Sequence, residues 1–167
     1  MNSNTKTPAT YQHYINGSLY GSDAANDYID VLDPCTEEII ARVPRGRQKE
    51  ADIAIDAAAA AQHNWSLLPS VERAKYLKAM ANVIRENRIM LAETLAREQA
   101  KVKALAQVEI DVTAEYYDYY AGFARAYEGE IIQSDRPGEQ IFLHKLPIGV
   151  VVGICPWNFP FFVMARK

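Results

Sequence analysis

Between Pro147 and Pro160 the chain runs an apolar stretch, Gly149-Val-Val-Val-Gly-Ile154, straight into Cys155-Pro156-Trp157-Asn158-Phe159-Pro160. A neutral carboxamide held at the end of such a stretch suits one kind of chemistry. It can donate a hydrogen bond to an oxygen that gains negative charge in a transition state, an effect of about 3–4 kcal/mol. Prolines on both sides of Trp157-Asn158 restrict the backbone, and the end of a strand in an open α/β sheet is where ligands bind. Asn158 is therefore the candidate donor. The plainer alternative is a buried strand end whose asparagine caps the next helix. Phe159, Phe162, Val163 and Arg166 follow at i, i+3, i+4 and i+7, so one helix face presents three apolar groups and a guanidinium together.

Other chemistries find less support. Cys35 and Cys155 lie 120 positions apart, and neither has a His or Cys at metal-ligand spacing. Both read as reduced, packed thiols, and no metal site is expected. The 18 basic and 21 acidic residues are interspersed, giving a net charge of −3 with no basic stripe, which argues against nucleic acid as a partner. The first ten residues are polar and lack the apolar centre of a signal peptide. No run approaches the roughly 20 apolar residues that span a bilayer, so no membrane association and a cytoplasmic location are expected. At 167 residues and 49 % hydrophobic content, the chain has the size of one globular domain.

The elements that must position Asn158 follow from the pattern. Residues 1–10 read as a disordered lead. Asn16-Gly17, between two short alternating runs in Tyr11–Tyr20, is the strongest two-residue hairpin signal. Asp33-Pro34 separates two further strand-like runs, Tyr28-Ile-Asp-Val-Leu and Glu38-Ile-Ile-Ala-Arg-Val. From Gln48 the period becomes helical through Ala51, Ile55, Ala58, Ala59, Gln62 and Trp65. Pro69 interrupts it, and Ser70 reads as the N-cap of a helix that buries Ala74, Leu77, Met80, Ala81 and Ile84. The two helices are expected in antiparallel contact. Leu91, Leu95 and Glu98, then Leu105, Val108 and Val112, mark further helical segments, extended by Tyr116, Tyr117, Tyr119, Tyr120 and Phe123 to about Tyr127. Gly129 ends the last of them. The aromatic run reads as packing surface rather than a stacking platform, because it has no basic companions. Glu130–Gln133 and Gln140–Leu146 are expected as strands around the loop Ser134–Gly138, and Gly149–Ile154 as a short, fully buried strand.

The segment Pro147–Pro160, with its specific Pro156-Trp157-Asn158-Phe159-Pro160 signature, resembles the first cofactor-domain strand of NAD(P)-dependent aldehyde dehydrogenases. The resemblance covers the whole chain: the Ile15-Asn16-Gly17 hairpin, the Asp33-Pro34-Cys35-Thr36-Glu37-Glu38 turn, the paired helices and Tyr127–Glu139 all fall in family order. The last stretch is most similar to the bacterial lactaldehyde and glycolaldehyde members. The implied fold is α/β, the N-terminal portion of the aldehyde dehydrogenase fold. Residues 11–129 would be the hairpin and helical part of the cofactor-binding domain, 130–146 the oligomerisation strands, and 147–167 the first strand and the start of the following helix of a Rossmann-like cofactor domain.

The resemblance implies oxidation of a small hydroxyaldehyde, such as lactaldehyde or glycolaldehyde, to the acid with NAD, in a homo-oligomer; a semialdehyde is the alternative substrate. It makes Asn158 the oxyanion donor toward a covalent thiohemiacetal. It places Ile154, Cys155, Pro156 and Trp157 along the cofactor, and Phe159, Phe162, Val163 and Arg166 along the substrate tunnel. A guanidinium at Arg166 would favour a short aldehyde carrying a hydroxyl or carboxylate. Cys155 matches an apolar strand position of the family, whose nucleophilic cysteine and general-base glutamate match nothing up to Lys167, so these 167 residues are expected to be inactive alone. An N-terminal fragment of an enzyme, a non-catalytic assembly subunit and a remnant without function all fit that expectation. One departure stands out. Relatives commonly carry Gly-Lys where this chain reads Ala100-Lys101, so the preceding helix either runs on or ends strained.

Overall fold

A computed structural model describes residues 7–20 and 27–167, so the lead over residues 1–6 lies outside the described residues. The N-terminal part is β-rich. Strand β1 (Ala9–Thr10) pairs in parallel with β5 (Ile39–Pro44), which pairs antiparallel with β4 (Tyr28–Leu32). Residues 9 and 10 therefore join a sheet instead of belonging to a lead without structure. Strands β2 (His13–Ile15) and β3 (Ser18–Tyr20) form the separate hairpin that Asn16-Gly17 signals. Both turn residues have positive φ, 51° and 74°, as a type I′ turn requires. The β4–β5 turn is built on Asp33, whose carboxylate accepts the Cys35 amide at 2.9 Å.

Four helices follow: α1 (Gln48–Leu67), α2 (Ser70–Glu86), α3 (Arg88–Gln99) and α4 (Lys103–Gly122). The core lies among the last three. Ala81, Ile84, Ala92, Leu95, Ala106, Ile110 and Ala114 are buried against one another, and Phe161 packs onto them from below the turn of interest. The predominance of alanine lets the backbones approach closely. Helix α2 packs along α4, and ion pairs tie α4 to α2 through Arg85–Asp118 and to the start of α3 through Arg88–Asp111.

Several expectations change. Helix α1 does not lie along α2. Its main tertiary partner is β2, because the extended Leu68 at its C-cap redirects the chain, and the contact it keeps with α2 is the edge-on Trp65–Tyr76 pair. Ser70 is the first helical residue rather than the N-cap: the Pro69 carbonyl accepts the amides of Glu72 and Arg73. Met80 is exposed, whereas Ala74, Ala81 and Ile84 are buried as expected. Helix α4 ends at Gly122 and tightens into a 3-10 turn, Phe123–Arg125, short of Tyr127. Cys35 and Cys155 are free but exposed, not packed.

Strands β6 (Glu130–Gln133) and β7 (Gln140–Leu143) form an antiparallel hairpin as expected. Gly149–Ile154, in contrast, is not a buried strand. It has no regular secondary structure, pairs with no strand among the described residues, and leaves Val152 and Ile154 largely exposed. A strand exists only through a partner's hydrogen bonds, and an apolar run alone cannot supply them. The last element is α5 (Pro160–Ala165), whose Pro160 occupies the first helical turn, where a missing N–H costs nothing.

Candidate functional site

Asn158 sits on the turn between the irregular Gly149–Ile154 stretch and α5, and three residues of the helical layer hold that turn. Glu109 is fully buried on α4, on the same stripe as Ala106, Ile110 and Thr113. Its Oε1 accepts the backbone amides of Phe161 at 3.0 Å and Phe162 at 3.2 Å, and its Oε2 accepts from Lys101 Nζ at 2.5 Å. Lys101 also donates to the Asn158 carbonyl at 2.7 Å and stands 4.3 Å above the Phe159 ring centroid. Gln99 Nε2 donates to the Trp157 carbonyl. A carboxylate buried among alanines would be very unfavourable alone; here a cation and two amides surround it.

The path of the chain explains how these groups converge. Helix α3 ends at Gln99, and Ala100 adopts the left-handed conformation, φ 53° and ψ 28°, that the family's glycine would take without strain. Of the two outcomes expected at this position, the helix stops and is strained. That reversal aims Gln99 and Lys101 at the same turn.

Glu109 decides what Asn158 does. The N-cap position of α5 belongs to Phe159, whose carbonyl accepts the Val163 amide at 3.0 Å, and the amides of Phe161 and Phe162 are taken by Glu109. The capping alternative for Asn158 is therefore not realised. Its side chain is exposed and makes no hydrogen bond among the described residues, while its carbonyl is fixed by Lys101.

The remaining candidate residues divide into groups. Ile154, Cys155, Pro156 and Trp157 are exposed and lead into the turn. Phe162 packs edge-on against Tyr116, with centroids 5.4 Å apart, and the Arg166 guanidinium lies 5.8 Å from the Phe162 ring. Arg166, Tyr116 and Tyr120 border an open cavity of about 400 Å³ that Leu77 and Met164 also line. A hydrogen bond to Tyr116 pushes the Tyr120 phenol above its ordinary range, with Arg166 opposing. Val163 is half-buried on α5, and Phe159 lies under Lys101.

The residues that hold the turn escaped the sequence reading. Glu109 carried a usable signal, an acid on a helix stripe otherwise made of small residues; Gln99 and Lys101 carried none beyond proximity to the altered helix stop. Among the described residues no group of three or more His, Cys, Asp or Glu side chains is placed to hold a metal ion, and no helix is long and apolar enough to cross a membrane.

Two different environments on this chain bear on the fit of a nicotinamide dinucleotide. The exposed side chains of Ile154–Trp157 could pack against a nicotinamide and its ribose. The pyrophosphate finds no cradle at α5, whose first amides already bind a carboxylate.

The aldehyde dehydrogenase family profile matches residues 20–167. The chain is 48 % identical over 162 residues to lactaldehyde dehydrogenase of Escherichia coli, a match covering 96 % of this chain and 33 % of that protein. It is 42 % identical over 158 residues to 3,6-anhydro-alpha-L-galactose dehydrogenase of a Vibrio species, covering 94 % and 32 %. A crystal structure of the E. coli lactaldehyde dehydrogenase superposes with a TM-score of 0.92 at 47 % identity, over 96 % of this chain and 34 % of that one. The structure of 3,6-anhydro-L-galactose dehydrogenase in complex with NAP superposes at 0.86 and 37 % identity, over 95 % and 33 %. The chain thus spans about a third of the length of the curated relatives it matches. Its hairpins, helices and Trp157–Asn158 turn are those of the aldehyde dehydrogenase family, to which the chain belongs.

Proposed function

We propose that these residues supply the oxyanion donor and one wall of the substrate and cofactor sites for oxidation of a small hydroxyaldehyde, lactaldehyde or glycolaldehyde, to the acid with NAD. The observation that carries the reading is the unused Asn158 carboxamide on a turn whose backbone is fixed at both ends. A donor held so needs no reorganisation when charge develops on the aldehyde oxygen. Arg166, at the far end of the wall begun by Phe162 and Val163, would bind the hydroxyl beside the aldehyde. Ile154, Cys155, Pro156 and Trp157 would hold the nicotinamide and ribose, and the bound cofactor would accept the hydride. NAD rather than NADP rests on the likeness to lactaldehyde dehydrogenase. Nucleophile and general base match no residue of this chain, so it is inactive alone.

The test is a chimera in which residues 1–167 replace the corresponding third of E. coli lactaldehyde dehydrogenase. It should form NADH from glycolaldehyde, and Asn158→Ala should lower kcat by about 10²–10³-fold with KM little changed. A chimera indifferent to Asn158→Ala refutes the donor role, and NADH formation by the pure 167-residue chain refutes its inactivity.

A second reading, an assembly subunit, draws on the β6–β7 hairpin, which exposes Ile131 and Phe142 and leaves both outer edges unpaired among the described residues. A defined oligomer on size exclusion supports it; a monomer opposes it.

A further inference from the structure

We propose that Lys101 and Glu109 are positioning residues for Asn158: a buried ion pair whose task is to fix the Trp157–Phe162 backbone so that the Asn158 carboxamide is left free in one orientation. The inference rests on the donor role given to Asn158 above. The pair grips that residue and the start of the helix after it, Lys101 through the carbonyl of Asn158 itself and Glu109 through the amides of Phe161 and Phe162. Gln99 adds a third hold at the Trp157 carbonyl. All of these hydrogen bonds engage backbone atoms of the turn, and no side chain of the turn competes for them.

The choice of residues points the same way. A buried ion pair contributes little to stability compared with apolar residues of equal volume, but it fixes geometry, since each charge accepts only a narrow range of partner positions. At this site an apolar pair would fill the space among Ala106, Ile110 and Phe159 and leave the turn unheld. Donors to an oxyanion lose about 10²-fold in rate when displaced by roughly 1 Å, so holding the turn is the function that repays burying two charges.

The experiment is amide hydrogen exchange with side-chain amide NMR on the 167-residue chain, comparing wild type with Glu109→Gln, Lys101→Met and the double variant Lys101→Met/Glu109→Leu. In wild type, the Phe161 and Phe162 amides should be protected. In each variant they should exchange at least about tenfold faster relative to the Ala81 and Ile110 amides of the same sample, and the Asn158 side-chain resonances should shift. The double variant should do so while keeping a melting temperature near wild type, which a merely structural role would not produce. Wild-type Phe161 and Phe162 amides without protection overturn the inference. So does a double variant with unchanged Phe161, Phe162 and Asn158 signals, or single variants whose Phe161 and Phe162 amides loosen no more than the core. Should the double variant not fold, the single variants decide by the same ratio. None of these readouts needs turnover, so a chimera indifferent to Asn158→Ala would refute the donor role and leave the grip on the turn standing.

Discussion

Arg88 and Asp111 meet through two hydrogen bonds, Nε to Oδ1 at 2.6 Å and Nη2 to Oδ2 at 2.7 Å, which tie the start of α3 to the middle of α4. The fork-to-carboxylate geometry makes this the best-formed ion pair between the helices. The Arg88 hydrogen bonds, aided by its charge and opposed by partial burial, hold the Asp111 carboxyl below the usual carboxylate range.

A carboxyl with a depressed pKa stabilises the fold above its unfolded value, near about 4, and that contribution disappears as pH falls through the lower folded value. Asp111→Asn should therefore be less stable than wild type at neutral pH, and the gap should close below about pH 4. Urea melts of both proteins across that range check it. The pair is partly exposed, so the gap is modest, and a gap that persists undiminished in acid would assign the effect to packing.

Ala100 carries the strain of the α3 stop at φ 53°. A left-handed alanine costs about 1–2 kcal/mol, and glycine there gives back part of the gain through its freer unfolded chain, so Ala100→Gly should stabilise by about 0.5–1 kcal/mol. A thermal melt should rise by about 2–3 °C for a domain of this size. A lowered melting temperature would mean that the alanine methyl packs where no strain estimate sees it.

How much of this was legible beforehand depended on the range of the forces. The Asn16-Gly17 hairpin and the start of α1 at Gln48 were readable because turn chemistry and helical period act within a few residues. The partner of α1 was not, because alanine-rich faces fit many neighbours and the choice was made by the backbone at Leu68-Pro69. Gly149–Ile154 misled for the opposite reason: its composition states that it wants burial, not what buries it. In the site, Asn158 carries its own signature, Pro156-Trp157-Asn158-Phe159-Pro160. Glu109 and Lys101 were not legible there, since they act from 49 and 57 positions away and only the fold brings them beneath the turn.

Gly129 precedes β6 where the backbone of β7 passes closely: a Cβ built on it would lie 2.3 Å from the Leu143 carbonyl oxygen. That oxygen belongs to the Glu130–Leu143 pairing and cannot retreat without opening the hairpin. Gly129→Ala should therefore destabilise β6–β7 by about 1–3 kcal/mol, as overpacking does. Exchange of the Ile131 and Ile141 amides should quicken while the helical core amides hold. If those two amides keep their protection, the hairpin has room that this approach denies.

Arg166 offers the sharpest test of substrate choice in the chimera. Its guanidinium lies beside Phe162 at the edge of the cavity lined by Tyr116 and Tyr120, which Lys167 also borders. A hydroxyl next to an aldehyde gains a charge-assisted partner there, whereas an aryl aldehyde gains only a charge it must desolvate. Arg166→Trp should lower kcat/KM for glycolaldehyde by about 10–100-fold, corresponding to about 1–3 kcal/mol, and raise it for benzaldehyde. Because Asn158 is untouched, both substrates keep the same donor, and the ratio isolates the far end of the wall. An unchanged ratio would reduce Arg166 to a cation near a helix C-terminus, placed there for the helix dipole and not for the substrate.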